Sequence, residues 1–145
     1  MLKNARTVGV CVVSLALIYV ASGCATLQGG PSDEELLVKL LETYTTAMKE
    51  GDPEALIPLY SKHYESPRGG DYEETMERLR EFIPRFAERD VKMTTDDAKV
   101  EIDGDHASFG PINFESERGA WSTTLITTKE EDGCWRITGT EWQRE

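Results

Sequence analysis

The chain is poor in the residues on which metal sites and acid–base catalysis usually depend. It has two histidines and three cysteines among 145 residues, and they are widely separated. No metal-ligand spacing, glycine-rich phosphate loop, nucleophile elbow or dinucleotide-binding fingerprint is present. We therefore expect neither a metal ion nor a cofactor.

Basic residues are scarce as well. Sixteen Lys and Arg are outnumbered by 27 Asp and Glu, which gives a net charge of −11. Such a field repels phosphate backbones, so nucleic acid is not an expected partner.

A long hydrophobic run is also missing. The apolar stretch from Val8 to Val20 is shorter than the roughly 20 residues that a membrane-spanning helix needs. It follows Lys3 and Arg6 and precedes the small residues 21–23 and then Cys24. The order positive, apolar, small is typical of a secretory signal peptide.

The residues before Cys24 resemble the lipobox of bacterial lipoproteins, with Ala21 where leucine is commonest. The resemblance implies that residues 1–23 are a lipoprotein signal peptide, that Cys24 is acylated, and that residues 24–32 form a short tether. An uncleaved anchor and an ordinary cleaved signal are the alternatives.

Location and cysteine pairing follow from the same resemblance. We expect a protein of the bacterial cell envelope, attached to the lipid bilayer through acylated Cys24. Ala25 stands where an aspartate would retain such a protein in the inner membrane, which favours the periplasmic side of the outer membrane in a Gram-negative cell. Because Cys11 would leave with the signal and Cys24 would carry the lipid, no intrachain disulfide is expected.

Three helices are predicted after the tether. Ser32 and Glu35 form a capping box and Gly51 is suited to a helix C-terminus, so the first helix should run from Asp33 to Glu50. A short second helix should follow Asp52-Pro53. The segment "GGDYEETMERLREFIPRFAERD" predicts a third helix that Pro84 should kink or end early.

The second half of the chain changes to a period of two. Alternation in "DAKVEID", the hairpin signal Asp103-Gly104 and a second turn at residues 131–133 predict a series of antiparallel strands. Helices followed by strands indicate an α+β fold, with helices packed on one face of a curved sheet.

The segments "LLETYTTAMKEGDPEALIPLYS", "DGDHASF" and "KEEDGCWRITGTEW" resemble the NTF2-like superfamily, which includes SnoaL-like polyketide cyclases and ketosteroid isomerases. The resemblance implies an NTF2-like domain over residues 33–145: a cystatin-like cone, in which three N-terminal helices pack on a curved antiparallel β-sheet. This fold hosts enzymes, binding modules and assembly subunits alike.

The catalytic positions of the ketosteroid isomerases are only partly matched. Tyr44 lies seven residues before Gly51, where the family has a tyrosine that donates to the oxyanion. Ser66 stands where the family has its aspartate base, and a neutral hydroxyl cannot take a proton from carbon. His63 and Glu65 are the candidate replacement bases, although a surface role is the alternative for both. The strand from Trp121 to Thr128 has no carboxylate for the second oxyanion donor.

The candidate pocket residues are mostly aromatic, and they either line a cavity for an apolar molecule or fill the core. They are Tyr44, Tyr60, Tyr64, Phe109, Asn113, Trp121 and Trp135.

Three functions are compatible with this sequence. The first is a membrane-anchored NTF2-like lipoprotein without catalysis, which binds a small apolar ligand, a second copy of itself or an envelope protein. The second is a SnoaL- or isomerase-type enzyme that uses general acid–base chemistry in the cone. The third is a structural subunit of a cell-envelope complex.

Overall fold

The structure, a computed structural model, describes residues 29–144. The predicted signal peptide, Cys24 and most of the tether lie outside this range. Within it, no helix combines the length and the apolar character needed to cross a membrane.

The first helix begins and ends where the sequence predicts. α1 spans Asp33–Glu50, Ser32 and Glu35 form the capping box, and Gly51 closes the helix with φ of 70°. Asp52 then accepts two backbone N–H bonds at the start of α2, Pro53–Leu56, which continues into a 3-10 turn, Ile57–Leu59.

The third helix, α3, spans Tyr72–Ala87 and starts at the predicted N-cap, Asp71. Pro84 lies inside it, and the helix ends at Ala87, within one turn of the proline. The early stop expected at Pro84 is delayed because Ile83 and Phe86, on either side of it, are both buried in the core.

Five antiparallel strands form one sheet: β1, Lys92–Thr94; β2, Lys99–Asp103; β3, His106–Ser116; β4, Gly119–Lys129; β5, Trp135–Arg144. The order is β1-β3-β4-β5, and β2 pairs with the first half of β3. The predicted turns after Asp103 and at residues 131–133 join β2 to β3 and β4 to β5. The predicted α+β fold is confirmed.

The sheet is interrupted at two places. Between Phe109 and Ile112, β3 carries two residues opposite Thr124, and β5 has a comparable irregularity opposite Ile126 and Thr127. Such bulges bend a strand and increase its twist. A Cβ on Gly110 would lie 2.7 Å from the Thr124 hydroxyl, so only glycine fits this close approach of β3 and β4.

The core lies between the helices and one face of the sheet, which we call the inner face. Along β4, alternate residues are fully or almost fully buried on this face: Thr123, Leu125 and Thr127. The largest side chains with no more than 1% exposure are Leu37, Leu56, Met76, Ile83, Phe109, Ile112, Leu125 and Ile137.

The expectation that the chain has no disulfide is wrong. Cys134, in the turn before β5, is disulfide-bonded. It is the one cysteine within residues 29–144. The expectation treated Cys11 and Cys24 as unavailable for pairing, which the sequence alone does not require.

Candidate functional site

Three of the predicted pocket residues form what we call the tyrosine cluster: Tyr44, Tyr60 and Tyr64. Tyr44, from α1, and Tyr60, after the 3-10 turn, are each only 6% exposed, and a hydrogen bond joins their side chains. The rings of Tyr60 and Tyr64 meet edge to face with centroids 4.9 Å apart. The Tyr64 hydroxyl shares a 3.0 Å hydrogen bond with Thr140 of β5.

The electrostatics of the tyrosine cluster favour neutral hydroxyls. Burial raises the pKa of Tyr44 and the pKa of Tyr60 above the ordinary value of a phenol. Burial also raises the pKa of Tyr64, although its hydrogen bond with Thr140 and the positive charge of Arg78 oppose the shift. These side chains can therefore donate hydrogen bonds but will not act as bases near neutral pH.

The candidate bases lie elsewhere. His63 and Glu65 are exposed to solvent, in the loop after the 3-10 turn. The backbone N–H of Glu65 bonds to the Thr138 carbonyl, which fixes the loop against β5. Ser66 is half-buried, and its hydroxyl accepts a bond from the Arg68 N–H within the same loop. Among the described residues, no side-chain hydrogen bond joins these groups to Tyr44.

The other predicted pocket residues divide between core and surface. Phe109 is completely buried, and the buried Trp135 donates its indole N–H to Asp33 at 2.9 Å. Trp121 stacks on Phe114 with centroids 5.3 Å apart. Asn113 pairs with Ser122 on the opposite, outer face, because its neighbours Ile112 and Phe114 point inward.

Two residues of the inner face were not among the predicted site residues. Thr123 is 2% exposed, and its hydroxyl has no hydrogen-bond partner among the described residues. Trp142 of β5 lies directly opposite Thr123 in the sheet, yet 56% of it is exposed. The period of β4 shows that Thr123 shares a face with Leu125, but no sequence signal reveals an unpaired hydroxyl.

The outer face of the sheet is polar. Along β4, the side chains on the outer face are small or carry a hydroxyl, except for Ile126. A shallow depression on this face is lined partly by Ser108, Ser122, Thr124, Lys99 and Glu101. Across residues 29–144, no three His, Cys, Asp or Glu side chains come together as a potential metal site.

Three N-terminal helices packed against a bent antiparallel sheet define the NTF2-like fold, also described as cystatin-like, and solved structures of that fold match this chain. An NTF2-like protein of unknown function from Shewanella baltica superposes with a TM-score of 0.59 and 17% identity, over 80% of this chain and 98% of the other. A protein provisionally assigned as a ketosteroid isomerase, from Shewanella frigidimarina, superposes with a TM-score of 0.61 and 16% identity. That match covers 74% of this chain and 94% of the other.

A third match is to Bd1075 of Bdellovibrio bacteriovorus, with a TM-score of 0.59 and 18% identity. The match covers 75% of this chain but 39% of that larger protein. No family model and no curated protein sequence matches the chain. At these identities the structural likeness shows the fold alone, because one fold hosts many functions.

Proposed function

We propose that the protein is a non-catalytic NTF2-like module that binds a small, mainly apolar molecule and is held at the cell-envelope membrane by acylated Cys24. The observation that carries the proposal is the chemistry of the site. The polar groups brought together there are the hydroxyls of Tyr44, Tyr60, Tyr64 and Thr140, while His63 and Glu65 are exposed. Neutral hydroxyls orient a ligand without removing a proton from it.

The enzyme alternative has weaker support. Proton abstraction from carbon needs a carboxylate or an imidazole within hydrogen-bond reach of the substrate. Ser66 occupies the position of the family base, and the tyrosines carry raised pKa values. Tyr44 would be an oxyanion donor without a base beside it.

The structural-subunit alternative would gain from an exposed apolar patch on the outer face of the sheet. The large apolar side chains that are exposed within residues 29–144 are Val38, Phe82, Ile102 and Trp142. Val38 and Phe82 belong to helices, whereas Ile102 and Trp142 pair with the inward-facing Ala107 and Thr123. None of the four lies on the outer face.

Native mass spectrometry of the mature protein, extracted from its host membrane in a mild detergent, tests the binding role. We expect a reproducible adduct of small-molecule mass, which is lost when the protein is denatured. Protein at its calculated mass without an adduct, in repeated preparations, would contradict a ligand-binding module and would favour a protein-interaction role.

Labelling with an alkyne fatty acid in the host tests the anchor. Wild type and Cys134→Ser should incorporate the label, and Cys24→Ser should not. Cys134→Ser is the matched control because it removes the other cysteine that would remain once residues 1–23 are cleaved. Equal labelling of Cys24→Ser and wild type would exclude acylation at Cys24.

A further inference from the structure

We propose that β2 pairs with β2 of a second copy of the chain, so that two sheets join edge to edge into one continuous sheet. The two β2 strands run antiparallel, and the twofold axis that relates the copies passes through the contact at Glu101. β2 lies at the edge of the sheet opposite β5, away from Tyr64 and Thr140, so the pairing does not depend on the ligand-binding role proposed above.

The two edges of the sheet differ in what covers them. At β5, the segment after the 3-10 turn lies alongside the strand. The Ser61 N–H donates to the Ile137 carbonyl at 2.9 Å. The Glu65 N–H donates to the Thr138 carbonyl at 3.1 Å. At the other edge, β4 occupies one side of β3 and β2 the other, and within residues 29–144 the backbone of β2 is hydrogen-bonded to β3 alone.

β2 also lacks the features that usually block an exposed edge. Its five residues contain no proline, and they pair with β3 without a bulge. Its inward-facing side chains, Val100 and Ile102, are both apolar, and 43% of Ile102 is exposed. A row of unpaired backbone N–H and C=O groups beside exposed apolar side chains is a template for a further strand.

The sequence of β2 is complementary to itself when two copies run antiparallel. With Glu101 on the twofold axis, Lys99 of each copy lies opposite Asp103 of the other on the outer face. Val100 of each copy lies opposite Ile102 of the other on the inner face. Opposite charges and apolar pairs directly across antiparallel strands stabilise a sheet. Because both copies use the same surface, the contact closes at two copies.

Other registers pair these side chains less well. Directly opposite residues share a face, so the register can move only in steps that keep the faces matched. With Val100 on the axis, Asp97 would lie opposite Asp103 twice. With Ile102 on the axis, Glu101 would lie opposite Asp103 twice. The register centred on Glu101 has one like-charged pair, Glu101 with its own copy, against two pairs of opposite charge.

The charge of the molecule sets the conditions of the test. Each copy carries a net charge of −11, which opposes association, and a contact of five residues per copy is small. We therefore expect a weak, reversible dimer. The repulsion between copies is largely screened at about 150 mM NaCl, where the Debye length is about 8 Å.

Sedimentation equilibrium in a density-matched detergent measures association of the protein as extracted from its host membrane, at about 10 μM to about 1 mM. Wild type should form a dimer and nothing larger. Lys99→Glu and Asp103→Lys should each weaken the dimer about tenfold, because each substitution places like charges opposite each other twice. An equimolar mixture of the two variants should recover the wild-type affinity to within about threefold, because the mixed dimer again has two pairs of opposite charge.

Two further variants separate the pairing from a general effect of charge. Glu101→Gln should tighten the dimer about threefold, since it removes the like-charged pair on the axis. Lys39→Glu is the matched control, because it makes the same change of charge at an exposed position of α1. It should leave the affinity within about twofold of wild type.

Circular dichroism establishes that each variant is folded. Wild type that stays monomeric over this concentration range would overturn the proposal. A mixture that associates no more tightly than Lys99→Glu or Asp103→Lys alone would overturn it as well. Undiminished affinity in Asp103→Lys would show that the copies do not pair in this register, and an equal loss in Lys39→Glu would show that the contact lies elsewhere on the molecule.

Discussion

At the scale of single residues, Thr123 and Thr127 form a natural comparison. Both are buried threonines on the inner face of β4, and they differ in whether the hydroxyl has a hydrogen-bond partner within residues 29–144. Valine has nearly the same shape as threonine and removes only the hydroxyl. The two substitutions therefore measure how much an unpaired and a paired buried hydroxyl of the same strand each contribute to stability.

We predict opposite effects on stability. Thr123→Val should raise the free energy of unfolding by about 1 kcal/mol, because it removes a desolvated group that gains no bond. Thr127→Val should lower it by about 1 kcal/mol, because the Ala107 carbonyl loses its donor. Urea unfolding in the absence of ligand measures both changes. A loss of stability in Thr123→Val would mean that the hydroxyl has a partner in solution.

At the scale of elements, Gly51 determines how closely α1 approaches α3. Its φ of 70° is one that other residues rarely adopt, and a Cβ there would lie 2.8 Å from the Cβ of Ala87. Gly104 has a similar φ of 61°, but a Cβ there would meet nothing within 4 Å. Comparing alanine substitutions at the two positions therefore distinguishes the cost of backbone strain from the cost of a packing clash.

Gly51→Ala should therefore destabilise the protein more than Gly104→Ala. We expect about 1 kcal/mol for Gly104→Ala from the backbone alone, and about 2–3 kcal/mol for Gly51→Ala, since the helices must also move apart. Thermal and urea denaturation measure the difference. Equal losses of stability in the two variants would show that α3 moves away from the added Cβ at position 51 without a cost in free energy.

A second feature at this scale links the start of α1 to the β4–β5 hairpin. One carboxylate oxygen of Asp33 accepts bonds from Lys129 Nζ and Trp135 Nε1, both at 2.9 Å. These two bonds hold the pKa of Asp33 below its usual 3.8. A lowered pKa means that the stabilisation is present at neutral pH and is lost as the pH falls through the folded-state pKa.

Asp33→Asn should consequently be less stable than wild type at pH 7, and the gap should close under acid conditions. We expect a difference on the order of 0.5–1 kcal/mol, because 37% of the Asp33 side chain is exposed and the ion pair is screened. Urea unfolding between neutral and acid pH measures it. Lys129→Met leaves the bond from Trp135 to Asp33 in place, so it should cause part of the loss of stability at pH 7. A stability difference between wild type and Asp33→Asn that widens in acid would contradict the stabilising role of the Asp33 carboxylate.

At the scale of the whole molecule, the excess of acidic residues opposes compaction. A net charge of −11 concentrates like charge when the chain folds, and this repulsion is screened by salt. The ion pairs of Arg136 with Glu130 and Asp132 would be weakened by the same screening. The balance between the net charge repulsion and these ion pairs decides whether salt raises or lowers the stability of the protein.

We predict that repulsion dominates and that the melting temperature rises when NaCl increases from about 10 mM to about 150 mM, as the Debye length falls to about 8 Å. Differential scanning calorimetry at pH 7 measures the shift. The shift should shrink near pH 4.7, where the net charge vanishes. A fall in melting temperature would show that the local ion pairs outweigh the net charge.

The sequence by itself determined the features that depend on nearby residues. The bounds of α1 follow from Ser32, Glu35 and Gly51, and the hairpin after β2 follows from Asp103-Gly104, because capping and turn chemistry act over a few residues. The α+β class follows from the change of period along the chain.

Only the tertiary structure decided which side chains meet. The tyrosine cluster joins α1 to the segment after the 3-10 turn and to β5. The Thr123 hydroxyl finds no partner in the described part of the chain, and this depends on what its neighbours on β3 and β5 already bond. Asn113 lies on the outer face because the register of β3 turns Ile112 and Phe114 inward. Strand register and hydrogen-bond pairing depend on contacts between residues far apart in the chain, and local sequence patterns do not encode them.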